Sequence, residues 1–340
     1  MPTKNHTFAA IFFLNLFFLF MLSRRHLRIK ALQALYAYFI NEDGDLLTAE
    51  KNMLNSTERI YELAIYQLSF LLEIVKFAAR RIEENKKKFF PTPEDLHPNT
   101  KFIENDFSAK LADNKDFQRR KNAYKINWVD HEDLIRRVFN EVRDLEGYKD
   151  YMNNPGRSFE EDKELFITVF TDVVVENEIL NSRYEEISVY WANDIVLANF
   201  CVLKIIQSFS KHHDALQPLP PLYNTDQKDD PDEDKKYLIK LFHKTILKSK
   251  EYEKIIEDKA SNWELNRITL MDVILLKMGL AELMEFPSIP VKVTMNEIIE
   301  LAKTYSTPKS RVFINGVLDR MINDLKQSGQ IVKTGRGLIE

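Results

Sequence analysis

The stretch from Asn262 to Met321 constrains the fold most, because it predicts three consecutive helices together with their ends. Apolar residues recur at helical spacing in the first helix, over a surface wide enough to predict burial on several sides. They are Val273, Ile274, Leu276, Leu280 and Leu283. Pro287 and Pro290 are predicted to end this helix. A Thr-x-x-Glu capping box at residues 294–297 predicts the start of the second helix.

The third helix is predicted to begin at Thr307 and Pro308, a cap residue followed by proline at the first helical position. Its apolar stripe consists of Phe313, Val317, Met321 and Leu325. Gly329 supplies a stop. Gly316 lies inside this helix, where glycine costs about 0.5–1 kcal/mol relative to alanine, so close packing or approach by another backbone is predicted there.

The composition extends the helical prediction to the whole chain. Its 340 residues are 44% hydrophobic and include only eight glycines, and few apolar segments alternate as strands do. An all-α fold is therefore predicted. The formal net charge of −4 argues against a protein that coats itself in nucleic acid, so any such binding must be local. Cys201 is the single cysteine, which excludes an intramolecular disulfide, fits a reducing cytoplasm and, within an apolar run, predicts a buried structural thiol.

The amino terminus has more than one interpretation. Residues 8–22 are apolar except for Asn15, as in a signal or membrane segment. As a helix they would rise only about 22 Å, against a hydrocarbon core of roughly 30 Å, and no cleavage site of small residues follows. Translation from Met21, with residues 1–20 as upstream sequence or a dispensable extension, is the preferred interpretation.

An amphipathic helix with a basic start is predicted from Ser23 onward. Arg24, Arg25 and Arg28 fall in its first turns, and residues 21–30 contain no acid to offset them. Because the amides of a helix start favour anions, this cluster predicts a phosphate site. A solvated basic turn is the simpler alternative.

The long middle of the chain is also predicted to be helical. Helices are expected over residues 56–88 and near 102–113, 130–146, 160–178 and 183–210. The lysines at 86–88 are interpreted as cations at a helix end rather than an RNA patch, and Trp128, Tyr190 and Trp191 as packing residues. A proline-rich and then acidic run around residues 218–234 predicts a linker. Further helices are expected over 237–248 and 252–260.

The sequence contains no pattern typical of catalysis or metal binding. A nucleophile elbow, a phosphate-binding glycine loop and a metallopeptidase helix are all missing. Residues 130–133 combine two aspartates, a histidine and a glutamate, but they look like the first turn of a helix. No enzyme activity, cofactor or metal site is predicted.

Several blocks in the same order resemble the NusB family of bacterial antitermination factors. Residues 24–36 carry R-R-x-x-R-x-x-A-x-Q-A-L-Y, similar to the first helix of that family, and residues 262–268 carry N-W-x-x-x-R-I. Residues 289–303 carry I-P-V-K-V-x-x-N-E-x-I-E-L-A-K, and residues 313–319 carry F-I-N-G-V-L-D. The long middle resembles that of enlarged members with an insertion after the first helix.

The resemblance implies an all-α fold of two packed three-helix units with a large helical insertion. The NusB-like domain would comprise residues 21–40 and 225–326, the insertion 41–224 and a polar tail 327–340. The implied function is assembly: pairing with NusE, a small ribosomal subunit protein, and binding of boxA RNA. With RNA polymerase this suppresses termination in the cytoplasm, notably in ribosomal RNA operons. The alternative is a helical membrane-anchored or protein-interaction scaffold without RNA binding.

The resemblance also implies which residues bind. The implied RNA contacts are Arg24, Arg25 and Arg28, with Lys292 and Phe313 as weaker candidates. Core packing is an equal alternative for Phe313. His26 stands where the family often has another arginine, and since histidine is mostly neutral at pH 7, one permanent charge is missing. Tyr36 and Asp272 match the NusE-facing surface, with core placement and a helix-start acid as their alternatives.

Overall fold

The structure, a computed structural model, describes residues 22–41, 44–223, 230, 232–260 and 268–339. Within these ranges it contains fifteen α-helices and no strand, which confirms the all-α prediction. The helices are α1 (Arg24–Ile40), α2 (Leu46–Lys86), α3 (Pro93–Leu96), α4 (Asp106–Asp113), α5 (Lys115–Ala123), α6 (Glu132–Asp144), α7 (Glu146–Asn153), α8 (Phe159–Val169), α9 (Glu178–Ile187), α10 (Ile195–Ser208), α11 (Glu233–Leu247), α12 (Ser249–Ala260), α13 (Leu270–Glu285), α14 (Val291–Tyr305) and α15 (Pro308–Gln327).

The described residues form two compact units. The terminal unit comprises Leu22–Thr57 and Tyr223–Glu340, and the middle unit comprises Glu58–Leu222. Helix α2 therefore contributes its first part to the terminal unit and the rest to the middle unit.

Helix α13 forms the centre of the terminal unit, because it contacts α1, α11, α12, α14 and α15. Every residue from 274 to 283 is buried, as the wide apolar surface predicted. Gly279 permits this packing: a Cβ there would lie 3.3 Å from Cγ1 of Ile298 and 3.3 Å from Cδ2 of Leu318. The terminal unit is thus built around one helix surrounded by its neighbours.

Three predicted helix ends are confirmed. Ser23 caps α1, where its side chain accepts from the backbone N–H of His26. Thr307 caps α15 in the same way, with proline at the next position. Gly329 follows the end of α15 with φ +69°, a left-handed conformation that glycine adopts without strain.

Three other local predictions are wrong. Residues 294–297 do not cap a helix, because Pro290 already occupies the cap and α14 begins at Val291. Gly316 shows neither close packing nor the approach of another backbone: apart from its two chain neighbours and its own helix backbone, no described atom lies within 4 Å of where its Cβ would stand. Tyr190 is exposed rather than packed.

Aromatic packing dominates part of the middle unit. The ring of Tyr66 lies 4.4 Å from that of Trp128 and 5.3 Å from that of Trp191, centroid to centroid. The indole N–H of Trp128 donates to Oγ of Ser69 at 2.8 Å. Both tryptophans are buried, as predicted. Cys201 is also buried, and burial raises the pKa of its thiol, which confirms a structural cysteine.

Three sequence predictions fall wholly or partly where the structure is not described. Residues 1–21, with the apolar segment and Met21, lie outside the described residues, as do residues 261–267 with the Asn-Trp block. Residues 224–229 and 231 of the predicted linker also lie outside them. Among the helices that are described, none combines the length and the apolar character needed to cross a bilayer.

Candidate nucleic-acid interface

The start of α1 is stabilised by a reciprocal cap. The backbone N–H of His26 donates to Oγ of Ser23 at 3.5 Å, and the backbone N–H of Ser23 donates to Nδ1 of His26 at 3.2 Å. Burial, assisted by the charge of Arg25, lowers the pKa of His26 to about 4. The imidazole is therefore neutral near pH 7 and closes the cap instead of adding charge to the arginine cluster.

Arg28 is held by a buried carboxylate. Its Nε and Nη2 donate to the two oxygens of Glu282 at 2.8 Å each, and the side chains are 3% and 1% exposed. The same carboxylate accepts from the hydroxyl of Tyr237 and, at 2.7 Å, from that of Thr294. Four donors from α1, α11 and α14 thus converge on one residue of α13.

These donors explain the ionisation of Glu282. Burial alone would raise the pKa of this carboxyl. The charge of Arg28 and the hydrogen bonds that the carboxylate accepts outweigh burial and hold the pKa of Glu282 below its usual range. A charged pair that is fully hydrogen-bonded and removed from solvent fixes the position of α1 in the unit. Arg28 therefore has a structural role in this arrangement.

Arg24 is anchored to the start of α11. Its Nη2 donates to Glu233 at 2.6 Å and its Nε to Asp234 at 2.7 Å. The guanidinium carbon also lies 4.4 Å from the ring centroid of Tyr237, within the range of a cation–π contact. Arg24 is half-buried by these contacts.

Arg25 is the most exposed of the three arginines, with 53% of its side chain accessible. It makes a bidentate pair with Glu297 of α14, at 2.9 and 2.6 Å. The hydrogen bonds that Arg25 donates to Glu297 raise the pKa of Arg25, and the charges of Glu297 and Glu300 add to this effect. Arg25 therefore lies at the surface, with the Nε–Nη2 edge of its guanidinium paired with a carboxylate.

The predicted phosphate site is thus a network of ion pairs. Three arginines of α1 meet four carboxylates, which are Glu233, Asp234, Glu282 and Glu297. A phosphate would have to compete with the exposed pairs, which are worth at most about 1 kcal/mol each. Arg25 can exchange its partner at low cost, whereas Arg28 cannot.

The two weaker RNA candidates lie in different environments. Lys292 is exposed in the first turn of α14, the helix that also carries the partner of Arg25. Phe313 is buried on α15, only 6% exposed. The structure therefore favours core packing for Phe313 and leaves Lys292 accessible to a ligand.

The two partner candidates also differ. Tyr36 lies on α1 and is 38% exposed. Asp272 is 2% exposed, takes part in the cap of α13 with Thr269, and accepts from the hydroxyls of Ser306 and Ser310. This placement gives Asp272 an internal role that joins the start of α13 to the start of α15, and leaves Tyr36 as the accessible candidate.

Sequence reasoning missed the carboxylates of this network. The sequence pattern indicates Glu297 only as part of a helix cap and indicates no role for Glu282. A signal for Glu282 was present, since an acid inside the apolar run of α13 must find a partner when the helix is buried on all sides. The partner itself lies 254 positions away.

Among the described residues there is no group of three or more His, Cys, Asp or Glu that could hold a metal ion.

Comparisons with known proteins agree on one family. A sequence model of the NusB family matches residues 200–323, a range that takes in the end of the segment predicted as insertion. The chain is similar to the transcription antitermination protein NusB of Salinibacter ruber, 44% identical over 126 residues, 37% of this chain and 78% of the relative.

Two further relatives carry the same name. The protein from Chloroherpeton thalassium is 40% identical over 106 residues, 31% of this chain and 50% of the relative. That from Koribacter versatilis is 39% identical over 100 residues, 29% of this chain and 68% of the relative. No solved structure gave a significant match.

Proposed function

This chain belongs to the NusB family, and we propose on that premise that it is a transcription antitermination factor that pairs with NusE and binds boxA RNA. The observation that carries the proposal is the 44% identity to a protein named as an antitermination factor, over 78% of that protein's length. In the proposed complex, RNA polymerase reads through termination signals, notably in ribosomal RNA operons. The role is one of assembly in the cytoplasm and involves no catalysis.

The proposed RNA surface is centred on Arg25 and Lys292. Arg25 is half exposed and pairs with Glu297 of α14, and Lys292 is exposed in the first turn of that helix. Single-stranded RNA is bound by cations that meet its phosphates and flat groups that stack on its bases. Because Glu297 forms an ion pair with Arg25 in the free protein, RNA binding by this chain alone should be weak and salt-sensitive. NusE should raise the affinity by adding its own contacts.

Tyr36 is the residue on α1 that we propose for contact with NusE, because its ring is accessible. Tyrosine is favoured at interfaces, where its ring is buried and its hydroxyl can bind. Tyr36 and Arg25 both lie on α1. We propose that this helix belongs to the family domain, in residues 21–40 and 225–326. The intervening residues 41–224 would then be an insertion.

The test is co-purification with NusE, followed by gel-shift titrations with boxA RNA and a scrambled RNA of equal length. The proposal expects a stable complex that shifts boxA RNA at lower concentration than the chain alone. Arg25→Ala should weaken the shift. Arg119→Ala is the matched control, because Arg119 is exposed and paired with Asp116 at 2.6 Å in the middle unit. Equal binding with and without NusE, or equal binding of the scrambled RNA, contradicts the proposal.

A further inference from the structure

We propose that residues 86–90 of the middle unit, here termed the Phe tip, form a second contact for single-stranded RNA. The inference rests on the proposed function, since it names a further surface of this chain for the same class of ligand. The Phe tip begins at Lys86, the last residue of α2, and has the sequence Lys-Lys-Lys-Phe-Phe. The sequence alone favours helix-end cations over an RNA patch for these lysines, and the exposure of the adjacent rings reverses that interpretation.

The first observation is the exposure of two consecutive aromatic side chains. Phe89 is 90% and Phe90 83% exposed, although phenylalanine is among the residues most often buried. The rings contact each other edge to face, with centroids 4.7 Å apart and planes at 88°. They therefore offer two nearly perpendicular faces to solvent, and each can accept a stacked base.

The second observation is the positive charge beside these rings. Lys86 pairs with Glu83 at 2.7 Å, and Lys88 pairs with Asp95 at 3.1 Å. The Lys86–Glu83 pair is exposed on both sides, so it is weak and Lys86 can exchange its partner for another anion. Lys87 is exposed and forms no ion pair with any other described residue. Cations that follow a backbone, next to aromatic faces that stack bases, are the combination used for single-stranded nucleic acid.

The third observation is that the chain around the tip is held in place. Pro91 follows the two rings directly and restricts the conformation of Phe90. Thr92 then caps α3 in a reciprocal box with Asp95, at 3.1 and 3.2 Å. Since Asp95 also binds Lys88, the turn is closed on itself and presents the rings outward.

Single-stranded RNA fits the Phe tip better than other partners do. The buried centre of a protein interface is depleted in lysine, whereas here three lysines adjoin the rings. An anionic membrane would present a plane of negative charge to the whole neighbourhood, including Glu83, Glu84, Glu94 and Asp95. A single strand is narrow enough to meet only the lysines and the rings.

The test uses the full chain and a fluorescently labelled oligouridylate, titrated by anisotropy at several salt concentrations. Replacing both rings, Phe89→Ala with Phe90→Ala, should weaken binding by about thirtyfold or more, the loss of two stacked bases. Lys87→Ala should weaken binding and reduce the salt slope by roughly 0.7, one phosphate on a single strand. Val129→Ala is the matched control, because Val129 is a 78% exposed apolar residue of the same unit. Ultraviolet crosslinking should place uridine on the peptide that contains Phe89 and Phe90.

The outcomes separate this inference from the proposed function. If the double Phe variant binds oligouridylate as the wild type does, or if the rings are needed for anionic vesicles and not for RNA, the Phe tip is not an RNA contact. In that case, a loss of boxA binding in Arg25→Ala would still support the proposed function. Conversely, a wild-type chain that binds no boxA RNA with NusE overturns the proposed function, whatever the Phe tip does.

Discussion

Removal of the Arg28 side chain should destabilise the terminal unit more than removal of any exposed arginine. Within the described part of the chain, the Arg28→Ala change leaves Glu282, 1% exposed, with the hydroxyls of Tyr237 and Thr294 as its donors. Breaking a buried ion pair from one side costs about 3–5 kcal/mol, because the remaining charge is neither solvated nor neutralised. Arg25→Ala, which breaks an exposed pair, should cost about 1 kcal/mol or less.

Hydrogen exchange followed by mass spectrometry measures this effect unit by unit. Peptides from α1, α13 and α14 should exchange about a hundredfold faster or more in Arg28→Ala, since each 1.4 kcal/mol is a factor of ten. Peptides from the middle unit serve as the internal control. The double change Arg28→Met with Glu282→Gln removes the orphaned charge and should restore part of the protection.

A loss below about 1 kcal/mol in Arg28→Ala would refute the reasoning, because the pair would then behave as a surface pair. The same conclusion would follow if the double change were as damaging as the sum of the two single changes, since buried partners in one network must couple.

Three further predictions follow from the same contacts. Because the pKa of Glu282 is held below its usual range, its contribution to stability is present above about pH 4.3 and is lost as pH falls through the folded-state pKa. Hydrogen-exchange protection of the wild type should therefore fall over this pH range, and protection of Glu282→Gln should not show this fall. Glu297→Gln should tighten RNA binding a few-fold by releasing Arg25, as measured by anisotropy, and unchanged affinity would show that the carboxylate does not compete. Gly316→Ala should stabilise the terminal unit by about 0.5–1 kcal/mol, whereas Gly279→Ala should destabilise it against Ile298 and Leu318; the reverse order of urea midpoints would contradict the packing described.

Local signals in the sequence predicted the helices and several of their ends. A cap such as Ser23 or Thr307 acts on amides two or three residues away, so the sequence contains all its participants. Thr294 matched the same pattern but lies inside α14, because Pro290 begins that helix earlier. The threonine hydroxyl is used instead by Glu282 of a different helix. A motif therefore predicts a cap only where no stronger start precedes it.

Local signals could not predict the carboxylates that pair with the arginines of the predicted RNA site. The sequence showed a basic cluster at the start of α1, but its carboxylate partners come from α11, α13 and α14, between 209 and 272 positions away. Spacing along one helix contains no information on these contacts. The sequence did not determine whether the side chains of Asp272 and Phe313 are buried or exposed, for the same reason. Only the packing of neighbouring helices shows that both are buried.

The most direct test of antitermination is a transcription assay with purified RNA polymerase, NusE and a template that carries boxA upstream of a terminator. Addition of this chain should increase the fraction of transcripts that pass the terminator, and the increase should require both boxA and NusE. Arg25→Ala should reduce it, and Arg119→Ala should not. Readthrough that is unchanged by the chain, or equal on a template with scrambled boxA, would contradict the proposed function.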